Sequence, residues 1–170
     1  NRTIQGEYAP GSTFKLFSAY AGLRTGFLSP GNDVINDPGS YRVDNCTGGS
    51  CVFTNAGGQG NGTVDLVKSL RVSSDVYYYR IADKLWQRRG EFGPTPIQDA
   101  AAEFGLGQRT GIELAGENAG RLPTPESRRK AYEARPDLFM TGDWFAGDNV
   151  LTVIGQGDVL ATPLQLVNAY

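Results

Sequence analysis

The sequence predicts a predominantly α-helical unit with a few short strands, and three observations predict it. Apolar residues recur at three- and four-residue spacing in runs that follow positions 12, 63 and 75. Two tetrapeptides, Thr95-Pro96-Ile97-Gln98 and Thr162-Pro163-Leu164-Gln165, share a threonine N-cap, a proline at the first helical position and a glutamine able to complete a capping box. Between the early helical runs, residues 29–62 are rich in Gly, Asn, Asp and Ser and leave room only for short β-like pieces.

Taken in order, the first helix should run from Ser12 to about Thr25, with Phe14, Phe17, Tyr20, Ala21 and Leu23 on its apolar side and Gly26 as its stop. That run is too long for a buried strand. Val34-Ile35-Asn36, Tyr41-Arg42-Val43 and Cys51-Val52-Phe53 are the β-like pieces, enough for one small hairpin. Thr63 should cap a short helix carrying Val64, Leu66, Val67 and Leu70, which leads into Ser73-Ser74-Asp75. A second helix then presents Val76, Tyr79, Ala82 and Trp86, widened by Ile81 and Leu85, down to Gly90. The helix from Thr95 carries Ile97, Ala100, Ala101 and Phe104 and should end at Gly105. Residues 107–120 read as loop, with a strand expected at Ile112-Glu113-Leu114, and Thr124-Pro125-Glu126 opens a basic helix through Ala134 that Arg135-Pro136 closes. The helix from Thr162 carries Leu164, Leu166, Val167 and Tyr170. With no repeat, low-complexity tract or linker, the chain reads as one unit.

Composition narrows the chemistry. Sixteen Lys+Arg against eighteen Asp+Glu give a net charge of −2, without the basic footprint that nucleic-acid binding needs, so no nucleic-acid partner is expected. No apolar run approaches the ~20 residues of a membrane span, and the start, Asn1 rather than Met, does not read as a signal peptide. The 170 residues are therefore expected to be an excerpt from a longer protein, with any anchor upstream. Histidine is absent, which removes Ser-His-Asp and Cys-His mechanisms and histidine-ligated metals. Cys46 and Cys51, in a flexible Gly-rich loop, would be a short disulfide in an extracytoplasmic setting and free thiols in a reducing one.

What remains for catalysis is a serine with a lysine base. Ser12 and Lys15 stand at i and i+3, so at a helix start the ammonium can fold back towards the hydroxyl. Pro10-Gly11 supplies a preceding turn, and a helix N-terminus places backbone N–H groups beside the serine. A lysine serves as base only if burial or neighbouring cations lower its pKa. The plain alternative is that Ser12 is an N-cap, and Ser127-Arg128-Arg129-Lys130 has the same spacing in what reads as a solvated helix face. What separates the two is Ser73-Ser74-Asp75, 61 positions after Ser12, although capping alone also accounts for Ser73 and Asp75.

Tyr8-Ala9-Pro10-Gly11-Ser12-Thr13-Phe14-Lys15, Ser73-Ser74-Asp75-Val76-Tyr77-Tyr78-Tyr79, Gly111-Ile112-Glu113-Leu114, Ile154-Gly155-Gln156-Gly157 and Ala161-Thr162-Pro163-Leu164-Gln165 together resemble the penicillin-binding transpeptidases, most closely the class B, elongation-type penicillin-binding protein 2 family. The resemblance implies an α+β transpeptidase fold of the penicillin-binding and serine β-lactamase kind, of which residues 1–170 would be mostly the helical lobe. Most of the sheet and the third motif, Lys-Thr-Gly, would lie beyond Tyr170. It further implies a D,D-transpeptidase that cross-links peptidoglycan stem peptides ending in D-Ala-D-Ala through a serine acyl-enzyme and is acylated by β-lactams. Ser12 would be the nucleophile, Lys15 its base and Ser73 the proton relay, with Asp75 where most members carry asparagine. Ser74, Gly155, Gln156 and Gly157 would contact substrate. Some elongation-type members hold a metal with carboxylate, His and Cys ligands in the region where this chain has Asp37, Asp44 and its cysteines; no metal or cofactor is expected here. Elongation-machinery membrane proteins would be partners of the parent, at the extracytoplasmic face of the bacterial cytoplasmic membrane. A β-lactamase or penicillin-binding sensor on the same fold, and a non-catalytic helical interaction module, are the alternatives. The chain by itself should be inactive, with Lys15 more solvated than in the whole enzyme and its pKa moved back towards the ~10.4 of a free lysine.

Overall fold

The structure, a computed structural model, describes residues 1–47 and 49–170. A short helix α1 (Arg2–Gln5) leads to a 3-10 turn at Gly11–Phe14, which runs directly into α2 (Lys15–Arg24). Strands β1 (Ile35–Asp37), β2 (Ser40–Arg42), β3 (Val52–Thr54) and β4 (Gly62–Val64) follow, then α3 (Leu66–Arg71), α4 (Asp75–Gln87), α5 (Arg89–Phe92), α6 (Pro96–Glu103), α7 (Pro125–Ala134), α8 (Ala146–Thr152) and α9 (Pro163–Ala169). The chain is therefore mostly helical with a few short strands, as its patterning predicts.

Helix α4 is the axis. Val76, Tyr79, Ile81, Ala82 and Leu85 are buried as expected and Trp86 is half-buried, while Tyr77 and Tyr78 are buried as well, so its apolar surface runs further round than the expected face. It packs against α2, α8 and the strands, while α2 lies along α6. Phe14, Phe17 and Phe104 stack beneath the first turn of α2, with ring centroids 5.6 and 5.3 Å apart. Leu16, Tyr20 and Leu23 form the opposite, exposed stripe of α2, which corrects the placing of Tyr20 and Leu23 on the core side.

The β-rich segment holds two antiparallel pairs rather than one hairpin. β2 pairs with β3 from Ser40↔Thr54 to Arg42↔Val52, and β1 pairs with β4 from Ile35↔Val64 to Asp37↔Gly62. Thr63 is therefore strand, not a helix cap. Asp65 caps α3 instead, its carboxylate accepting from the Lys68 amide at 2.7 Å. Cys46 and Cys51 are joined as a disulfide within the β2–β3 connection.

The two matching helix starts behave differently. At α9 the Thr162 hydroxyl accepts from the Gln165 amide and the Gln165 side chain accepts from the Thr162 amide, the capping box expected. At α6 Thr95 makes no cap bond. Its hydroxyl donates to Asp99, and buried Gln98 is drawn away to the Pro123 carbonyl at 2.8 Å. Two further expectations yield to local geometry. Gly90 lies inside α5, which Gly93 ends at φ +83, and Ile112-Glu113-Leu114 is a turn closed by a Leu114 N–H to Ile112 C=O bond.

Candidate active site

Ser12 and the Ser73-Ser74-Asp75 segment, far apart in sequence, meet where the start of α2 faces the start of α4. On the α2 side, Pro10-Gly11 makes the expected turn, with Gly11 at φ +58. The Gly11 amide donates to the Gly155 carbonyl at 3.0 Å. Gly155 is itself at φ +66, and a Cβ there would lie 2.5 Å from the Gly11 carbonyl oxygen and 2.6 Å from Phe14 Cβ, so only glycine permits this approach. A reciprocal pair of backbone bonds between Tyr8 and Ala161 continues the contact. The Gly155-Gln156-Gly157 block is thereby laid beside the turn that carries Ser12, with the Gln156 side chain exposed.

On the α4 side, Ser73 adopts φ +54, a left-handed conformation that a residue with a Cβ takes at a cost of about 1–3 kcal/mol. Ser74, next in line, is the N-cap of α4, accepting from the Tyr77 amide at 3.2 Å. Asp75 opens the helix, where its charge is favoured by the N-terminal dipole.

Four side chains then form one connected set. The Lys15 ammonium is 2.5 Å from Asp75 Oδ1, and it donates to the Ser73 hydroxyl at 2.8 Å and to the Ser73 carbonyl at 2.7 Å. The Ser73 hydroxyl in turn donates to the Ser12 hydroxyl at 2.9 Å. The i,i+3 expectation is therefore corrected in one respect. Lys15 reaches Ser12 through Ser73 rather than by folding straight back, because Ser12 sits in the 3-10 turn and Lys15 opens the helix after it. Ser12 and Ser73 are exposed, whereas Lys15 is 1% exposed, so the lysine is withdrawn from water within this chain itself. Burial pushes the Lys15 ammonium below its ordinary pKa of 10.5, and the Asp75 carboxylate opposes that shift without cancelling it. The Tyr78 ring, 5.7 Å from Nζ, lines the burial.

Ser74 is corrected as a substrate contact. It is fully buried, and its hydroxyl is committed to the Tyr77 amide and to Asp37 Oδ2 at 2.7 Å, so it supports the site from beneath. Gly157, also at φ +66, packs its α-carbon side towards Leu151. A groove of about 280 Å³ bordered by Ser73, Val72, Ala56 and Gln59 adjoins the relay. Two larger hollows of about 550 and 610 Å³ flank Trp86 and Trp144, and neither is lined by Ser12, Lys15 or Ser73, so size alone does not locate the chemistry.

The residues present do not fit a metal. Cys46 and Cys51 are consumed in their disulfide, Asp44 pairs with Lys84, and the Asp37 carboxylate is filled by hydrogen-bond donors. Among the described residues no group of three or more His, Cys, Asp or Glu is arranged to hold an ion. Asn55 and Asn61, which surround Asp37, were not read as site residues from sequence: neither carries a catalytic pattern, although Asn61-Gly62-Thr63 fits the N-glycosylation pattern.

Comparison with known proteins places this geometry. The family model for the penicillin binding protein transpeptidase domain matches residues 1–170. The peptidoglycan D,D-transpeptidases MrdA of Haemophilus influenzae and Acinetobacter baumannii are 36% and 33% identical over 169 residues, 99% of this chain. The chain spans only 23% and 22% of those relatives. Among solved structures, Pseudomonas aeruginosa PBP2 in complex with WCK 5153 superimposes with a TM-score of 0.82 at 31% identity, over 99% of this chain and 34% of that one. PBP2 of Helicobacter pylori, in complex with MreC, gives 0.80 at 29% identity over 98% of this chain and 27% of that one.

Proposed function

Because the chain belongs to the penicillin-binding protein transpeptidase family, we propose that the protein it forms part of is a peptidoglycan D,D-transpeptidase that works through an acyl-enzyme on Ser12. The observation that carries this reading is the Ser12–Ser73–Lys15 chain of hydrogen bonds ending on a buried lysine with a lowered pKa.

In the acylation step the neutral form of Lys15 is the base. The Ser12 proton passes to the Ser73 oxygen as the Ser73 proton passes to Lys15 Nζ, and the Ser12 oxygen attacks the carbonyl of the D-Ala-D-Ala bond of a stem peptide. As the C–N bond breaks, the proton returns by the same relay to the leaving nitrogen of D-alanine. The amine of a neighbouring stem then takes the acyl group from Ser12 and restores the serine. A β-lactam enters by the same attack, its ring nitrogen taking the place of the leaving amine. Asp75 holds Lys15 in line at 2.5 Å and sets how readily it gives up its proton. Gln156 and Gly157, exposed beside the nucleophile turn, are the substrate contacts on this chain, while buried Gly155, bonded to Gly11 and Thr152, holds that turn in place.

The chain itself is one lobe of the transpeptidase domain. The share of its relatives that it spans, 22–23%, supports this. The rest of the sheet, with a Lys-Thr-Gly strand completing the oxyanion side, belongs to the parent. A machinery partner resembling the MreC of the Helicobacter complex, and a location at the extracytoplasmic face of the bacterial membrane, complete the proposal.

The test is labelling of the full-length protein with fluorescent penicillin. A slow-turnover adduct on Ser12 is expected. Rapid deacylation would mark a β-lactamase, and absence of any adduct would leave an interaction module. The 170-residue chain incubated with benzylpenicillin should show no stoichiometric adduct by mass spectrometry, since a preorganised oxyanion site is often the largest share of the rate and the third motif contributes to it.

A further inference from the structure

Asp37, on β1, is 1% exposed, and the groups on its carboxylate are all neutral hydrogen-bond donors. Oδ1 accepts from the Gly39 amide at 2.8 Å and from Asn55 Nδ2 at 2.9 Å. Oδ2 accepts from Asn55 Nδ2 at 2.9 Å, Asn61 Nδ2 at 2.6 Å and Ser74 Oγ at 2.7 Å. A carboxylate surrounded by N–H and O–H hydrogens has no face left for a cation. Burial alone would raise its pKa, but the bonds from Ser74, Asn61, Asn55 and Gly39 outweigh that and keep it below its ordinary value.

Each donor is also bonded onwards, and two of these bonds lead to the first turn of α4. Asn55 Oδ1 accepts from the Val76 amide at 3.0 Å, and Ser74 Oγ accepts from the Tyr77 amide at 3.2 Å. Asp37 thus fixes the residue directly after Ser73 and, through Asn55 and Ser74, the amides of the second and third residues of the helix. Ser73 itself is held in a left-handed conformation that persists only where its surroundings over-determine it. The same conformation puts its hydroxyl between Lys15 and Ser12.

We propose that Asp37 is a positioning residue for Ser73: its buried carboxylate gathers donors from its own turn, from the β3–β4 connection and from the start of α4 and, with hydrogen bonds rather than a metal ion, locks the Ser73-Ser74 backbone that aims the relay hydroxyl. The proposal rests on the functional reading above. Asp37 touches neither substrate nor the reacting atoms, so it acts through Ser73 alone.

A double-mutant cycle in the full-length protein separates this from general support of the fold. Asp37→Asn keeps the shape but turns one acceptor into an N–H group facing other donors. Acylation by fluorescent penicillin should slow about 10–100-fold, the scale of loss from misplacing a reacting group by about 1 Å. In a Ser73→Ala background, where no hydroxyl is left to aim, Asp37→Asn should cost little more. Equal losses in both backgrounds, a rate within about twofold of wild type, or a stoichiometric metal that disappears with Asp37→Asn would each overturn the proposal. Should Asp37→Asn fail to fold, Ser74→Ala is read in the same cycle. Hydrogen exchange at the Val76 and Tyr77 amides, faster in the variant, tests the lock without any activity. If the wild-type protein is never labelled on Ser12, the functional reading fails and the exchange decides Asp37: unchanged protection refutes the lock.

Discussion

The chain contains the same four-residue pattern twice, and the two copies share almost nothing in three dimensions. In the first, Lys15 is buried against Tyr78, paired with Asp75 and bonded to the hydroxyl that reaches Ser12. In the second, Ser127 exchanges bonds with Thr124 as part of the capping box of α7, and Lys130 pairs with Glu126 one turn back, both well exposed. The serine–lysine spacing is equal, so spacing does not make a base. What differs is a second element, α4, which together with Ser73 just before it supplies the carboxylate, the bridging hydroxyl and the cover that removes Lys15 from water. Ser127–Lys130 lies on an exposed face of α7, with its lysine in solvent beside Glu126.

The sharpest way to break this contrast is to delete each serine in turn. Ser12→Ala should abolish covalent penicillin binding by the full-length protein, while Ser127→Ala should leave it at the wild-type rate. Label retained by Ser12→Ala would put the nucleophile elsewhere. The lysines come next. Lys15→Met should slow acylation by about 10²–10⁴-fold, the usual worth of a general base, and Lys130→Met should leave the rate unchanged. Comparable rates for the two methionine variants would mean that the buried ammonium takes no part in the relay.

The pH dependence sharpens the contrast further. Acylation needs neutral Lys15, so the rate should rise with pH and level off at a midpoint below 10.5, because burial lowers this group's pKa. A limb still rising past 10.5 would refute the shift. Stability carries the same sign. Between the lowered folded value and 10.5 the unfolded chain binds the proton that the folded chain has released, so stability increases with pH across that window and the full cost of the buried ammonium is felt below it. Denaturant titrations should show that rise in wild type and in Ser127→Ala, which removes no titrating group, and should show it flattened in Lys15→Met.

Sequence made the helical parts legible wherever the signal was local. Pro125 and Pro163, each behind a capping threonine, mark the starts of α7 and α9 correctly. It failed where a distant partner decided the outcome. Gln98 leaves its box for the Pro123 carbonyl, and Thr63 joins a strand because Asn36, 27 positions away, lies opposite it. The site divides in the same way. Ser12, Lys15, Ser73 and Asp75 were legible through their resemblance to the family's motifs, since spacing and capping alone leave each with a plainer reading. The path between Lys15 and Ser12 was not, since it depends on the φ of Ser73. Nor was the platform below, because Asp37 draws its donors from positions 39, 55, 61 and 74, which no period or motif links.

The smallest expected effect returns to the second serine. Ser127 accepts from the Thr124 amide at 2.8 Å and donates to the Thr124 carbonyl at 3.0 Å, while the Thr124 hydroxyl accepts from the Ser127 amide at 3.0 Å. Ser127→Ala removes the first two bonds and keeps the third, since the amide is backbone. The loss is therefore half of a capping box on an exposed helix, about 0.5 kcal/mol at the low end of cap deletions. Thr124→Ala removes the other half and should cost about 1 kcal/mol, because a side-chain cap at the N-cap position satisfies a helix-start amide that otherwise relies on water. Thermal unfolding of both variants measures the difference. If Ser127→Ala destabilises the protein by several times that amount or slows acylation, the residue is more than a cap, and the two serine–lysine pairs are less unlike than their surroundings make them.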